Sequence, residues 1–234
     1  MATFVLVHGA WGGAHGFRHV RTALRTAGHE VFTPSLTGIG ERVHLASPQV
    51  GLTTHVSDVV NTLLFEGLDG VVLLGFSYGG MVVSGALEHI GERVAALVYL
   101  DAFVPADGDS VEQLRGQPLD GPPGLGRPWL LDGPPRAYED PAEAAFSGPR
   151  RTAQPIRCFT EPVRLPRRPE DFPFSRTYIR ATVPDPGAPP NPAFDAAAAV
   201  ARNSPAWRYH EIATTHLVPQ NRPAELAALL LDLA

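Results

Sequence analysis

The chain has 234 residues, a hydrophobic fraction of 44% and a formal net charge of -5, and α/β folds of this size form one domain around one large core. The sequence has no basic cluster, which argues against nucleic acid or an anionic membrane as its main partner, because both require concentrated positive charge. All 19 basic residues are Arg, which excludes lysine-based chemistry such as a Schiff base. The single cysteine, Cys158, excludes an internal disulfide and any multi-cysteine metal site.

Short branched apolar runs alternate with longer amphipathic runs along the chain, which is typical of a mostly parallel, doubly wound sheet covered by helices on both faces. In chain order, the predicted strands are residues 3–7, 30–33, 71–74, 94–100, 177–182 and 207–212. The predicted helices are residues 17–27, 52–66, 81–90 and 224–233. We therefore expect a single α/β domain over residues 1–234.

Residues 105–174 interrupt this alternation, since they are dense in Pro, Gly, Arg and Asp and carry only scattered hydrophobic residues. The composition predicts an insertion between core strands, and it fits a cap over an active site as well as a solvated excursion. No apolar run approaches the roughly 20 residues of a membrane-spanning helix, and the N-terminus lacks the features of a signal peptide. We therefore expect a cytoplasmic protein without membrane contact. The sequence predicts no cofactor or metal and leaves a homodimer open.

The stretch VVLLGFSYGGM holds a Gly-x-Ser-x-Gly pentapeptide between a predicted buried strand and a predicted helix. Such a turn raises the hydroxyl of its serine above the edge of the sheet, and flanking glycines let the backbone turn without clashes. Glycine-rich turns at this place also occur for packing alone. Because both strand and helix are present, we predict that Ser77 is a catalytic nucleophile.

A serine hydroxyl needs a base within hydrogen-bond reach, and hydrolases of this architecture carry the triad in the chain order Ser, acid, His. His216 follows the last predicted strand and precedes the final helix, which is the expected place of the base. Two aspartates satisfy the order. Asp101 ends a buried strand in apolar company, where a carboxylate needs a partner, whereas Asp185 lies in a Pro-rich sequence typical of a turn. The burial argument favours Asp101 and keeps Asp185 as the alternative acid.

A tetrahedral intermediate also needs an oxyanion hole. One donor should be the backbone N–H of Tyr78, the residue after the predicted nucleophile, and the other should come from the loop after an early strand. The loop HGAWGG follows the first predicted strand, and the N–H of Ala10 is its best candidate. The alternative is a glycine-rich turn that serves only to connect two elements.

Several segments together resemble one branch of the α/β-hydrolases, which contains plant methylesterases and hydroxynitrile lyases with related bacterial esterases. They are FVLVHGAWGG, TPSLTGIGERVHL, VVLLGFSYGGMV, LVYLDAFVP, RTYIRAT and HLVPQNRPAELAALL. The resemblance is dense over about the first hundred residues and weak over residues 105–174. It implies the α/β-hydrolase fold, a serine and histidine pair at Ser77 and His216, and oxyanion donors at Ala10 and Tyr78.

The sequence departs from this family pattern at several positions. Lyase members carry a threonine where this chain has Gly9 and a lysine where it has Leu217, so the resemblance favours ester hydrolysis over lyase chemistry. Phe76 replaces a frequent histidine, and His15 replaces an aromatic residue, which leaves the substrate open. In plant members the acid lies close to Asp185, so resemblance and burial point to different aspartates.

Three functions are consistent with these motifs and departures. The first is a serine hydrolase that cleaves a carboxylic ester or related acyl bond of a small apolar molecule. The second keeps fold and triad but performs cyclisation, elimination or lactone chemistry on a polyketide-like molecule, since altered cavity walls could exclude water. The third is a non-catalytic ligand-binding module, because fold alone does not determine function. The motifs favour the first.

Overall fold

A computed structural model of the chain describes residues 1–116, 128–186 and 191–234. Within these ranges, six strands form one parallel sheet and two short strands form a separate antiparallel ribbon. The strands are β1 (Thr3–Val7), β2 (Glu30–Phe32), β3 (Val71–Phe76), β4 (Val94–Leu100), β5 (Leu130–Leu131), β6 (Gln154–Pro155), β7 (Ser175–Ala181) and β8 (Arg208–Ile212).

The α-helices of the same ranges are α1 (Arg18–Thr26), α2 (Leu52–Phe65), α3 (Gly79–Ile90), α4 (Val111–Arg115), α5 (Pro141–Ser147), α6 (Arg157–Thr160), α7 (Pro192–Asn203), α8 (Val218–Asn221) and α9 (Pro223–Leu231). Every predicted strand and helix of the core is present, with ends that differ by one or two residues. Helix α7 was not predicted, although its alanine run has high helix propensity and the side chain of Asn191 caps it by accepting from the N–H of Ala193 at 3.2 Å.

The large sheet has the strand order β2-β1-β3-β4-β7-β8. All six residues of β3 are buried, as expected for a parallel sheet that is covered on both faces. Alternate side chains supply two hydrophobic clusters: Val5 and Leu73 belong to one, and Leu6 and Leu74 to the other. Helices α2, α3 and α7 cover the first face and α1 and α9 the second, so the chain is an α/β-hydrolase fold with three layers.

The chain order of the strands reverses between β1 and β3, which are neighbours in the sheet. In open α/β sheets, ligands bind at the carboxyl ends of the strands on either side of such a reversal. The predicted nucleophile follows β3 and the predicted oxyanion loop follows β1. The topology therefore brings both predicted motifs to the place where this kind of sheet binds its ligands.

Residues 105–174, called the insertion segment below, connect β4 to β7. Its described part carries α4, α5, α6 and the ribbon of β5 and β6, in which Leu131 lies opposite Gln154. These elements are short, and the prolines and glycines between them prevent longer helices or strands. Within the described ranges, no helix combines the length and apolar character needed to cross a membrane.

Candidate active site

Three strand ends carry a non-glycine residue in the left-handed backbone region. These residues are Trp11 (φ 59°) after β1, Ser77 (φ 55°) after β3 and Asp101 (φ 42°) after β4, and they are the full set of such residues in the described ranges. Left-handed backbone is costly for a side-chain-bearing residue and tends to occur where a site requires it. The strain therefore marks three adjacent points on one edge of the sheet.

Ser77 occupies the turn from β3 into α3. Its backbone N–H donates to the carbonyl of Leu100 at 3.1 Å, which ties the turn to β4. Glycines on both sides permit close packing: a Cβ on Gly75 would lie 2.6 Å from the carbonyl oxygen of Gly79, and one on Gly79 would lie 2.6 Å from that of Val7. The close approach of α3 to β1 and β3 thus requires the glycines of the pentapeptide.

His216 lies in the loop between β8 and α8. Its Nε2 is 2.9 Å from the Oγ of Ser77, and its Nδ1 is 2.6 Å from the Oδ2 of Asp101. The ring lies between two phenylalanines, with centroid distances of 4.9 Å to Phe76 and 5.5 Å to Phe194. An imidazole held between a hydroxyl and a buried carboxylate can take a proton from the hydroxyl and carry the resulting charge.

Asp101 has a strained backbone and is almost completely buried, with 2% exposure. Its carboxylate contacts three partners. Besides His216, its partners are the backbone N–H of Ala181 at 3.2 Å and the guanidinium of Arg180. Burial raises the pKa of the Asp101 carboxyl, but His216 and Arg180 outweigh burial, so the net pKa lies below its ordinary value. The carboxylate is therefore ionised at neutral pH.

Asp185, the alternative acid, lines the same cavity as Ser77 and His216. Its Oδ2 forms an ion pair with Arg136 of the insertion segment, and the side chain is 8% exposed. Its other oxygen, Oδ1, is buried without a hydrogen-bond partner in the described structure. The structure thus brings Asp101 to the imidazole and pairs Asp185 with an arginine.

Ala10 and Tyr78 line the cavity together with Ser77. Within the described ranges, neither N–H donates a hydrogen bond inside the chain. The loop after β1 approaches closely, since a Cβ on Gly9 would lie 3.0 Å from the Cβ of Ser77. Two free N–H donors next to a hydroxyl can hold the negative oxygen of a tetrahedral adduct.

His8 fixes the peptide that carries the N–H of Ala10. Its Nε2 accepts from the N–H of Leu36 at 3.1 Å, so the proton is on Nδ1, which donates to the carbonyl of Gly9 at 2.9 Å. The Gly9 carbonyl and the Ala10 N–H belong to one trans peptide and point in opposite directions. Burial lowers the pKa of His8 to about 4, so this tautomer persists at neutral pH.

A cavity of about 610 Å³ opens over Ser77. Its apolar wall combines residues of the core and of the insertion segment: Trp11, Phe103, Val111, Leu131, Phe159 and Phe194. Its polar residues include Arg115, Arg136 and Asp185. A cavity of this volume suits a small organic molecule. Among the described residues, no group of three or more His, Cys, Asp or Glu side chains could hold a metal ion.

Sequence reasoning missed several residues of this site. Arg180 was detectable, because a charged residue in a buried strand needs a partner such as Asp101. Phe76 was noted as a departure from the family, but its contact with the imidazole was not predicted. Phe194 and Gln154 gave no local signal, because each reaches the site through the packing of an element that pattern alone does not place.

Comparison with known proteins identifies the family of the chain. The model of a family described as "Alpha/beta hydrolase family" matches residues 4–229. A carbendazim hydrolyzing esterase of Nocardioides sp. is 51% identical over 119 residues, which are 51% of this chain and 49% of the relative. Methylesterase 1 of Arabidopsis thaliana is 32% identical over 104 residues, 44% of this chain and 40% of the relative. The match to a plant methylesterase confirms the family resemblance, and the chain spans about half the length of these curated relatives or less.

A solved structure similar in fold is an extracellular alpha/beta-hydrolase from a Paenibacillus species, with a TM-score of 0.80 and 23% sequence identity. The match covers 100% of this chain and 99% of that chain. At this identity the likeness supports the fold alone. With the family model covering nearly every described element, the chain belongs to the alpha/beta hydrolase family.

Proposed function

We propose that the protein is a serine hydrolase that cleaves a carboxylic ester, or a related acyl bond, of a small apolar molecule. The observation that carries the proposal is the hydrogen-bond series from the Ser77 hydroxyl through His216 to Asp101 at the floor of the cavity. Relatives named as esterases support the same reaction class. Ser77 is the nucleophile, His216 the base and Asp101 the acid of the proposed triad.

In the first half of the reaction, the Oγ of Ser77 attacks the carbonyl carbon of the ester while the Nε2 of His216 takes its proton. The carbonyl oxygen becomes negative in the tetrahedral intermediate and accepts hydrogen bonds from the N–H groups of Ala10 and Tyr78. The carboxylate of Asp101 stabilises the imidazolium. The alcohol then leaves with the proton from His216, and the acyl group stays on Ser77.

In the second half, a water molecule occupies the place of the alcohol. His216 takes its proton as the water oxygen attacks the acyl carbon, and the same two N–H groups hold the oxyanion. Collapse of this intermediate releases the carboxylic acid, and the proton on His216 returns to the Oγ of Ser77. The enzyme is thereby restored without a cofactor.

The walls of the cavity support an apolar substrate with flat or branched parts. Trp11 and Phe159 lie 5.2 Å apart between ring centroids, and Phe103 and Phe194 lie 4.8 Å apart. Aromatic walls of this kind bind apolar groups best, because each Å² of apolar surface that is removed from water contributes about 25 cal/mol to binding. We therefore propose an ester whose acyl or alcohol part is a ring or a short branched chain.

The test is hydrolysis of an ester panel by wild type, Ser77→Ala and the matched control Ser84→Ala. The panel contains p-nitrophenyl acetate and butyrate, methyl esters of small aromatic acids, and carbendazim, since one relative is named for hydrolysing it. Ser84 is a buried serine of α3 that bonds to Gly80 and Tyr99. We expect turnover by wild type and Ser84→Ala and none above background by Ser77→Ala. No turnover of any ester by wild type, or equal turnover by Ser77→Ala, would refute the proposal.

Three broader predictions belong to the same proposal. Residues 1–234 form one domain in which the insertion segment is a cap, which its contribution to the cavity wall supports. The partner is a small-molecule ester. A cytoplasmic location stays a prediction, to be measured by fractionation of cells. The oligomeric state, for which the sequence leaves a homodimer open, is to be measured by light scattering.

A further inference from the structure

Trp11, the residue after the proposed oxyanion donor Ala10, is strained and held almost entirely by the insertion segment. Its φ of 59° lies in the left-handed region, where a bulky side chain is rare. Unlike Ser77 and Asp101, it has no part in the proposed proton transfers. A strained residue persists when its surroundings overdetermine it, and such strain tends to occur where a site needs a particular geometry.

Every polar group of Trp11 bonds to the insertion segment. Its N–H donates to the Oε1 of Gln154 at 2.9 Å, and its indole N–H donates to the carbonyl of Leu131 at 2.9 Å. Its carbonyl accepts from the N–H of Thr152 at 3.1 Å. Leu131 and Gln154 lie opposite each other in the ribbon of β5 and β6. The ribbon therefore holds the backbone and the indole ring of Trp11 at once.

Gln154 is completely buried, and its contact with Trp11 is chemically unambiguous. A backbone N–H can only donate, so the amide atom that faces it is the oxygen. A buried N–H without an acceptor is costly, and no backbone carbonyl takes the place of Gln154 at this N–H in the described structure. The Gln154 side chain thus supplies the hydrogen-bond acceptor that a backbone carbonyl supplies within a strand or helix.

The two peptide planes on either side of Ala10 are fixed by different parts of the molecule. His8 holds the carbonyl of Gly9 in the plane before it, and Gln154 holds the N–H of Trp11 in the plane after it. Because each residue has two soft backbone dihedrals, fixing both planes fixes the conformation of Ala10. The single hydrogen bond from His8 leaves the first plane able to tilt about the Gly9 carbonyl, and the second plane limits this tilt through Ala10. The direction of the Ala10 N–H therefore depends on the insertion segment as well as on the core.

We propose that Gln154 is a positioning residue of the oxyanion hole. By accepting from the N–H of Trp11, it aims the N–H of Ala10 at the carbonyl oxygen of a bound ester, so docking of the ribbon completes the hole. This inference rests on the proposed function, because it assumes that Ala10 and Ser77 act in one reaction. With this role for Gln154, the geometry of the oxyanion hole depends on the insertion segment, whereas the geometry of the triad does not.

The test compares Gln154→Met with Thr152→Val, using an ester that wild type hydrolyses. Methionine fills similar space without an acceptor for the Trp11 N–H. Thr152→Val is the matched control, since it removes the hydroxyl that accepts from Gly40 but keeps the backbone N–H that reaches Trp11. We expect kcat to fall roughly 10- to 100-fold in Gln154→Met with KM changed less than about threefold, because loss of one oxyanion donor costs about 100- to 1000-fold and misalignment costs less. Thr152→Val should keep kcat within about twofold.

A second readout separates positioning from general structure. A trifluoromethyl ketone forms a tetrahedral adduct whose oxygen occupies the oxyanion hole, whereas the product alcohol has no carbonyl oxygen to place there. Gln154→Met should bind the ketone at least about tenfold more weakly and the product alcohol equally well. If Gln154→Met does not fold, Gln154→Asn, whose shorter amide cannot reach the same N–H, should show the same pattern.

The outcomes distinguish this inference from the proposed function. If wild type hydrolyses the ester but the Gln154 variants keep its kcat and ketone affinity, the positioning role of Gln154 is refuted and the triad stands. Equal losses in Gln154→Met and Thr152→Val would refute it as well, since the loss would then follow from any damage to this part of the insertion segment. If wild type hydrolyses nothing, the proposed function itself fails.

Discussion

Replacement of Asp101 by asparagine should remove most of the catalytic rate while the fold persists. Asparagine has nearly the same size and shape, so the left-handed strand end and the contact with the Ala181 N–H can remain. The substitution removes the negative charge that lies 2.6 Å from the Nδ1 of His216. It also removes the ion pair with Arg180, which keeps Asp195 as a partner at 2.6 Å.

The size of the effect follows from charge and tautomer. Two unit charges roughly 4 Å apart at an effective dielectric constant of about 20 interact by about 4 kcal/mol, which is roughly a thousandfold in rate if it is lost only in the transition state. An asparagine amide can also donate to the imidazole and favour the wrong tautomer, and in a well-studied triad the same substitution lowers kcat about 10⁴-fold. We therefore expect Asp101→Asn to lower kcat about 10³- to 10⁴-fold.

The assay is steady-state hydrolysis of a chromogenic ester, with thermal unfolding measured alongside. Asp185→Asn is the matched control: it is the same substitution at a buried aspartate that lines the same cavity and pairs with Arg136. We expect it to retain kcat within about tenfold, because its contacts do not reach the imidazole. If Asp185→Asn loses 10³-fold or more and Asp101→Asn does not, the assignment of the acid to Asp101 is wrong.

Three further predictions concern packing, titration and reactivity. Gly79→Ala should lower the free energy of unfolding by about 1–3 kcal/mol, because its Cβ would lie 2.6 Å from a carbonyl oxygen. The control Gly148→Ala has open space around its Cβ and should keep the stability of wild type. Equal denaturation midpoints for the two variants would contradict this. The pKa of His8 is lowered from 6.5 to about 4, so the unfolded chain binds a proton first on acidification. Between pH 7 and pH 5, wild type should therefore lose about 2 kcal/mol more stability than His8→Gln, as urea unfolding would measure, and equal losses would contradict this. Burial raises the pKa of Cys158 to about 12, so a thiol reagent at pH 8 should react with the unfolded chain alone, and fast reaction of the folded protein would refute this.

The core of the fold was predictable because its signals are local. Branched apolar runs are sufficient to predict β1, β3 and β4, and the glycine pattern around Ser77 identifies the turn that follows β3. The presence of the insertion segment was predictable from its composition, but its internal structure was not, since its prolines and glycines fit many chain paths and its short elements are stabilised by contacts with the core. Helix α7 could have been predicted from its alanines and its Asn191 cap.

In the candidate site, too, the positions of residues along the chain were predictable and their contacts were not. Ser77, His216, Ala10 and Tyr78 stay predictions about function, but their placement at strand ends followed from chain order. The contacts that distinguish the two aspartates are not encoded by spacing, because they depend on which loop packs against the imidazole. Burial of Asp101 at the end of an apolar strand was the physical signal available, and it favoured the residue that the structure places at the Nδ1 of His216.

The most direct test of the account is covalent labelling of the native protein with a fluorophosphonate, followed by mass measurement of the intact chain and of its peptides. The account predicts one adduct per chain, carried by the peptide that contains Ser77, absent from Ser77→Ala and strongly slowed in His216→Ala, because the imidazole activates the hydroxyl at 2.9 Å. A native protein that hydrolyses esters but takes up no label, or takes it up at another residue, would contradict the central claim.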